Sequence, residues 1–485
     1  MAEFVLAIDL GTTGVKAVVF DAKAEPRGRA VREVDTLYPQ PGWVEQVPGR
    51  VWQSVREATA DALAGAGIER IDLAAVGLTN QRSSVVAWDE SLHELSAMIN
   101  WQDTRSADRC AELGEQGFFV SPMMAASKAE WLVRNLPAVR EAGERGVLRL
   151  GTPDCWLAAR LTGGSLHVTD HSNASSTGMY AHFDSSWDAS LLGVLGIQRD
   201  WMPAFVESSG IVGMTSKAAF GAEVPVSAIC ADQQASLFGL GCHQPGESKI
   251  SYGTSASVDM NSGGEVAMGG PGTFPLVAWR IGDRFTYCVE GQVVTAGAAI
   301  QWLKEGLGIV DDAGQTSSVA DRASRDSGVW AVPAFQGLGT PDVRPQARAL
   351  VGGLSRASGR GEIVRAVLEG VAHRAADAGE AVWQASESRC EHLRADGGAA
   401  ANDFLLQTQA DLLGVAIERS PVLEGAALGA ALLAGVGAGF WSSMDEIERL
   451  WRPQRVFQPS ISEDERVARK SLWRSRLDKI VAAEL

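Results

Sequence analysis

"FVLAIDLGTTGVKAVVFDAK", residues 4–23, reads as a strand, a tight glycine turn and a second strand. Phe4 to Ile8 are apolar, Gly11 and Gly14 bracket two threonines, and Val15 to Phe20 resume the apolar run. That spacing predicts a β-hairpin with a short polar loop. The pattern returns in "ESKISYGTSASVDMNSG", residues 247–263, where Gly253-Thr254-Ser255 separate Ile250 from Val258 and Met260. Two hairpins with one turn chemistry in the two halves of the chain point to an internally duplicated architecture.

Strands and helices alternate around the hairpins. "RIDLAAVGLTNQRSSVVAWDE" (70–90) gives strand, polar turn, strand, and "SAICADQQASLFGLG" (227–241) runs a buried strand into a small-residue helix. "CHQPGES" (242–248) is a connector by its Pro and Gly. "VTAGAAIQWLKEGLGI" (294–309) predicts an amphipathic helix with Ile300, Leu303 and Leu307 on one face. A longer helix follows in "GEIVRAVLEGVAHRAADAGEAVWQA" (361–385), and another begins near Asn402 after Gly397-Gly398. "SEDERVARKSLWRSRL" reads as a charged surface helix. The mixture is that of an α/β protein of two domains, 1–242 and 243–485.

Composition excludes several classes. The 485 residues carry 43 basic and 59 acidic side chains, a net charge of −16, which disfavours nucleic-acid and anionic-membrane surfaces but permits a local phosphate site. The most apolar stretch, "GAALGAALLAGVGAGF" (425–440), is too short to span a bilayer and reads as a tightly packed buried helix. "MAEFVLAIDLG" enters a strand at once, without a secretory pattern. The six cysteines are scattered without zinc or redox spacing, as expected of reduced core thiols in a cytoplasmic protein. The seven histidines form no close pair, which argues against a histidine-built metal site.

The chemistry lies at strand ends. In Asp9-Leu10-Gly11-Thr12-Thr13-Gly14, glycines allow close backbone approach, successive N–H groups can form an anion nest, and threonine hydroxyls add donors. Lys16 can add positive charge, and Asp9 can hold Mg²⁺ through water. Gly253-Thr254 repeats the phosphate loop, and Gly397-Gly398 with Asn402 can admit the flat face of a base. Asp232 is a carboxylate at the inner end of a buried strand. It is either a helix N-cap or a catalytic base, and its own residues leave both readings open. Taken together, two phosphate loops, two strand-end acids and a Gly-Gly turn form a phosphoryl-transfer constellation.

These segments, with "GWVEQVPGRVW", "NWQDTRS", "LTGGSLHVTDHSNASST", "PAFQGLGTPDVRPQAR" and "GGLSRASGRGEIVRAVLEG", occur in an order that resembles the FGGY family of sugar and polyol kinases. Within it, the glycerol-phosphorylating branch is the most similar. The resemblance implies an actin-like, hexokinase-like fold, two ribonuclease-H-type domains closing over a cleft, with ATP and Mg²⁺ as cofactors. Possible homo-oligomers are implied too. By the same resemblance Asp232 is the base and Gln233 helps hold the acceptor, while Arg82 and Trp101 face it. Thr12, Thr13, Lys16 and Thr254 meet the phosphates, Gly297 and Gln301 line the nucleotide region, Gly398 and Asn402 lie near the adenine, and Asp9 positions Mg²⁺.

Three positions depart from the glycerol-phosphorylating pattern. Ser83 stands where that branch has glutamate, Met123 where it has tyrosine, and Ser257 near an aromatic wall position. The resemblance implies a small polyol or sugar as acceptor, glycerol first. The wider, less anionic pocket that these three positions leave makes a four- or five-carbon polyol or ketose, such as erythritol or xylulose, the runner-up. A third reading, an actin-like ATPase without a small-molecule acceptor, lacks the peptide-binding or polymerising extensions it would need.

Overall fold

The computed structural model describes residues 3–482. They divide into two compact units, and the chain passes between the units more than once. The first comprises Met1–Gly239, Leu276–Thr286 and Ala426–Leu450, and the second Leu240–Pro275, Tyr287–Gly425 and Trp451–Leu485.

The opening hairpin forms as its sequence predicts. Phe4–Leu10 pairs antiparallel with Gly14–Phe20, in a register that sets Asp9 opposite Lys16 and Leu10 opposite Val15. Gly14–Phe20 pairs in turn with Pro26–Glu33, whose alternating burial marks a sheet edge. On the other side Phe4–Leu10 lies parallel to Leu73–Asn80, which lies parallel to Pro225–Ala231. These last three strands are buried almost throughout, as parallel strands covered on both faces must be. An antiparallel strand, Ser209–Met214, completes the six-stranded sheet.

The second unit repeats this plan. Ser248–Tyr252 pairs antiparallel with Ala256–Gly263, which pairs antiparallel with Arg284–Val293. Ser248–Tyr252 also lies parallel to His392–Asp396, and that strand parallel to Ala416–Arg419. With Arg455–Phe457 antiparallel to Ala416–Arg419, six strands recur in the same spatial order and sense in each unit, the duplication that the hairpin sequences foreshadow. Each unit has its own apolar core, one around Leu6, Ile8, Val76 and Ile229 and one around Ile250, Val258, Leu368 and Leu393.

The small-residue segment forms the helix Gly425–Gly437, and close approach explains its composition. A Cβ on Gly77 would lie 2.2 Å from the Ala430 carbonyl oxygen, and one on Gly429 would lie 1.7 Å from that of Ala235. Among the described residues no helix is long and apolar enough to cross a membrane. All six cysteines are buried thiols.

Two helices differ from their sequence patterns. The one beginning at Gly297 is α-helical only to Gln301 and widens into a π turn over Trp302–Gly306. The extra residue in that turn shifts the phase, so Ile300 and Leu303 are buried while Leu307 is exposed. Glu463–Ala482, read as a surface helix, buries Trp473 and Leu477 against Val332, Ala334, Leu338 and Ala347.

Trp473 also stacks face to face on His373, with centroids 4.7 Å apart. Burial, reinforced by Arg476, Arg469 and Lys470, pushes the imidazole down to about 3. The unfolded chain therefore binds a proton below pH 6.5 that the folded chain refuses, and stability is lost as pH falls through that window. His373→Phe should lose roughly 1–2 kcal/mol less stability than wild type between pH 6.5 and 5, measured by denaturant titration at each pH. An unchanged slope would contradict the assignment of a neutral imidazole.

Candidate active site

In the first unit, parallel pairing brings three strand ends to one edge. Asn80 is opposite both Leu10 and Ala231, so the residues that follow, Gly11, Gln81 and Asp232, leave the sheet side by side. This edge is where open α/β sheets present ligand-binding loops.

Asp232 begins the helix Asp232–Gly239. Its Oδ1 accepts a hydrogen bond from the Gln233 N–H at 2.8 Å and lies 3.3 Å from Arg82 Nε. The carboxylate thus acts locally as a cap and also faces a guanidinium, which a cap does not require. Both side chains are partly exposed, at 14% for Arg82 and 27% for Asp232, so they remain accessible to a small ligand.

The Gly11–Gly14 loop is tied to this edge by side chains. Gly11 N–H donates to the Gly14 carbonyl, and Gln46 Nε2 donates to the Thr12 carbonyl at 2.7 Å. Gln46 Oε1 accepts from Gln81 Nε2, and Gln81 Oε1 accepts from Asn100 Nδ2. A buried amide chain therefore joins the phosphate loop to the turn carrying Arg82. Trp101 Nε1 donates to Thr12 Oγ1 at 2.9 Å, so the indole assigned to the acceptor and the threonine assigned to phosphate are direct neighbours. Thr13 is exposed at the loop tip. Asp9 is buried, with Lys16 Nζ 3.2 Å from its Oδ2. Residue spacing alone does not reveal Gln46, Gln81 and Asn100, although each sits in a segment that carries the family resemblance.

Ser83 has a left-handed backbone, φ 63°, and its hydroxyl donates to the Ser176 carbonyl at 2.9 Å. The next carbonyl, Thr177, accepts from Ala126 N–H, at the start of the helix that follows Met123. The Ser176–Thr177 stretch thus links the Ser83 turn to the Met123 turn. Met123 itself is exposed, flanked by Pro122 and Met124, whose carbonyls both accept from buried Lys128 Nζ. Burial pushes that ammonium down to about 7. Nearby, the Arg105 guanidinium lies 3.7 Å from the Trp43 ring centroid and 4.5 Å from that of Trp131, and pairs with Glu45 and Asp103.

In the second unit the other hairpin carries Thr254, expected at the phosphates, and Gly297 lies against it. Gly253, Thr254 and Ser255 are exposed at its tip. Gly297 packs on that tip: its N–H donates to the Gly253 carbonyl, and a Cβ there would come within 2.5 Å of the same oxygen. Gly397, at φ 86°, lies over the strand end, where a Cβ would meet the Tyr252 carbonyl at 2.4 Å. Glycine is required at both, and Gly398 follows exposed. Gln301 is exposed and bonds to Glu305. Asn402 is buried and fully engaged, its Oδ1 capping the helix through Leu405 N–H and its Nδ2 donating to Thr316 Oγ1. Ser257 donates to Asp259, which forms a wholly buried ion pair with Lys249. Among the described residues no cluster of three or more His, Cys, Asp or Glu side chains could by itself hold a metal ion.

Residues 4–239 match the model of the N-terminal domain of the FGGY family of carbohydrate kinases, and residues 248–438 match that of its C-terminal domain. The chain is 40% identical to glycerol kinase 2 of Thermotoga maritima over 99% of both proteins. Its structure resembles that of Plasmodium falciparum glycerol kinase with ADP, at a TM-score of 0.89, 26% identity and 98% coverage of each chain. It shares its fold with a ligand-bound xylulose kinase from Lactobacillus acidophilus, at a TM-score of 0.84, 20% identity and 99% coverage of each chain. With residues 4–239 and 248–438 matched by the two domain models and a relative 40% identical along the whole chain, this chain belongs to the FGGY family of carbohydrate kinases and is an ATP-dependent kinase.

Proposed function

We propose that the chain transfers the γ-phosphoryl group of ATP to a terminal hydroxyl of glycerol, with Asp232 as general base. The observation that carries this reading is the accessible Asp232–Arg82 pair at the shared edge of three parallel strands, in a chain 40% identical to a glycerol kinase along its whole length. Asp232 accepts the acceptor's hydroxyl proton as that oxygen attacks the γ-phosphorus. The bond to the bridging oxygen then breaks, and ADP leaves. Arg82 orients the carboxylate and donates to acceptor hydroxyls, the Trp101 indole forms a flat wall, and Gln233 helps hold the acceptor.

For the nucleotide, the N–H groups and hydroxyls of the Thr12-Thr13 loop and of Thr254 supply phosphate donors, and Lys16 supplies charge. Gly297, Gln301, Gly398 and Asn402 form the nucleoside side, Asn402 by fixing the helix end through its cap rather than with a free amide. A Mg²⁺ ion accompanying ATP would be held through water by Asp9, a single buried carboxylate of the kind this ion accepts. When bound, the ion neutralises charge on the phosphates.

Asp232→Asn should lower kcat by at least about 100-fold while ADP affinity changes less than about twofold, measured by a coupled assay and by calorimetry. Near-normal turnover would remove Asp232 from the role of base.

Ser83 favours a second acceptor. Its hydroxyl is committed to the Ser176 carbonyl, so this position offers the substrate no carboxylate and leaves room for a longer chain. A screen of C3 to C6 polyols and ketoses with coupled ADP detection decides between them. The first reading expects the highest kcat/KM for glycerol. A larger value for a four- or five-carbon acceptor would assign the pocket to that class.

A further inference from the structure

One buried acid has no part in the transfer described above, yet through one intervening residue each it is linked to the strand ends that precede Asp232 and Arg82. Asp170 is fully buried and accepts five hydrogen bonds. The donors are Ser172 N–H (3.1 Å), Ser172 Oγ (2.7 Å), Asn173 N–H (2.9 Å), Asn173 Nδ2 (3.0 Å) and Ser208 Oγ (2.7 Å). Two of these partners reach further. Ser172 Oγ accepts from the backbone N–H of Ala231 at 2.9 Å, immediately before Asp232. Asn173 Oδ1 accepts from Asn80 Nδ2 at 3.0 Å, two residues before Arg82.

The direction of each bond is fixed by chemistry. Backbone and amide N–H groups can only donate, so the Ser172 hydroxyl, accepting from Ala231, is left to donate, and the Asp170 carboxylate at 2.7 Å is a nearer and stronger acceptor than Cys230 Sγ at 3.6 Å. Asn173, accepting from Asn80 through oxygen, must give an amide proton to the same carboxylate. One acceptor-only group thereby orders two relays, ending on adjacent strands at Ala231 and Asn80, which are register partners.

We propose that Asp170 is a positioning residue for phosphoryl transfer: through Ser172 and Asn173 it fixes the strand ends that set Asp232 against Arg82. This role rests on the assignment of Asp232 as the base. An asparagine at 170 would turn an NH₂ group toward donors on one side, so one relay must break. Geometry at a transfer site is sensitive to small displacements, and a misplacement near 1 Å can cost on the order of 100-fold in rate.

Asp154 provides the control. It too is fully buried, and it accepts from Thr152 and Thr169 hydroxyls, with none of these bonds reaching either strand end. The test is steady-state kinetics on Asp170→Asn, Ser172→Ala, Ser172→Thr and Asp154→Asn, with melting temperatures alongside. Asp170→Asn and Ser172→Ala should lose roughly 10- to 100-fold in kcat, with KM for ATP within about threefold of wild type. Ser172→Thr, which keeps the hydroxyl, should stay within about threefold in kcat, as should Asp154→Asn even if its melting temperature falls. Should Asp170→Asn fail to fold, Ser172→Ala tests the same relay. Normal kcat in Ser172→Ala, or an equal loss in Asp154→Asn, would overturn the proposal. Asp232→Asn, assayed in parallel, separates the two assignments: if it is inactive while Ser172→Ala is normal, only the positioning role fails, whereas its own near-normal turnover overturns both.

Discussion

Parallel pairing of Phe4–Leu10, Leu73–Asn80 and Pro225–Ala231 is the constraint on which the first unit depends. Parallel strands end on the same edge, and their register decides which residues emerge together. Because Leu10, Asn80 and Ala231 are aligned, a glycine-threonine loop, an arginine-bearing turn and an acid-headed helix leave the sheet as neighbours. Strands buried on both faces cannot slip by one residue without turning apolar side chains against the wrong layer, so the alignment is held by the whole core. The chemistry inherits its precision from that packing.

The second unit repeats the same arrangement of strands. Its hairpin, Ser248–Tyr252 with Ala256–Gly263, again lies beside parallel strands. The loop space is cleared by glycine, with Gly297 against the Gly253 carbonyl and Gly397 against that of Tyr252. The duplicated plan gives each unit a polar, glycine-bearing hairpin tip, Gly11–Gly14 in one and Gly253–Ser255 in the other.

Much of this was legible in the sequence because strand periodicity and glycine turns are local signals. The two hairpins, the strand-end acids, the small-residue helix and the helix beginning near Asn402 depend on a few adjacent residues, and each is found where those residues predict it. What stayed hidden is non-local. The Gln46–Gln81–Asn100 amide chain joins three segments. Asp170 acquires its meaning from Ala231 and Asn80, 61 and 90 positions away along the chain. The burial of Trp473 is set by residues near 332–347 on another part of the chain, which no helical pattern within Glu463–Ala482 can disclose. The π turn after Gln301 likewise escapes a count based on regular helical spacing.

The residues proposed to face the acceptor occupy a small area of the first unit: the left-handed Ser83 turn, the exposed Met123 and the Trp101 indole, with Ser176 and Thr177 bonded between the first two. The account as a whole stands on Asp232 being the group that meets the reacting alcohol. A crystal structure of the protein with glycerol and a non-hydrolysable ATP analogue tests this most directly. It should place a terminal hydroxyl oxygen roughly 2.6–3.2 Å from an Asp232 carboxylate oxygen, with Arg82 on a neighbouring hydroxyl. An acceptor bound with every hydroxyl out of reach of Asp232 would contradict it.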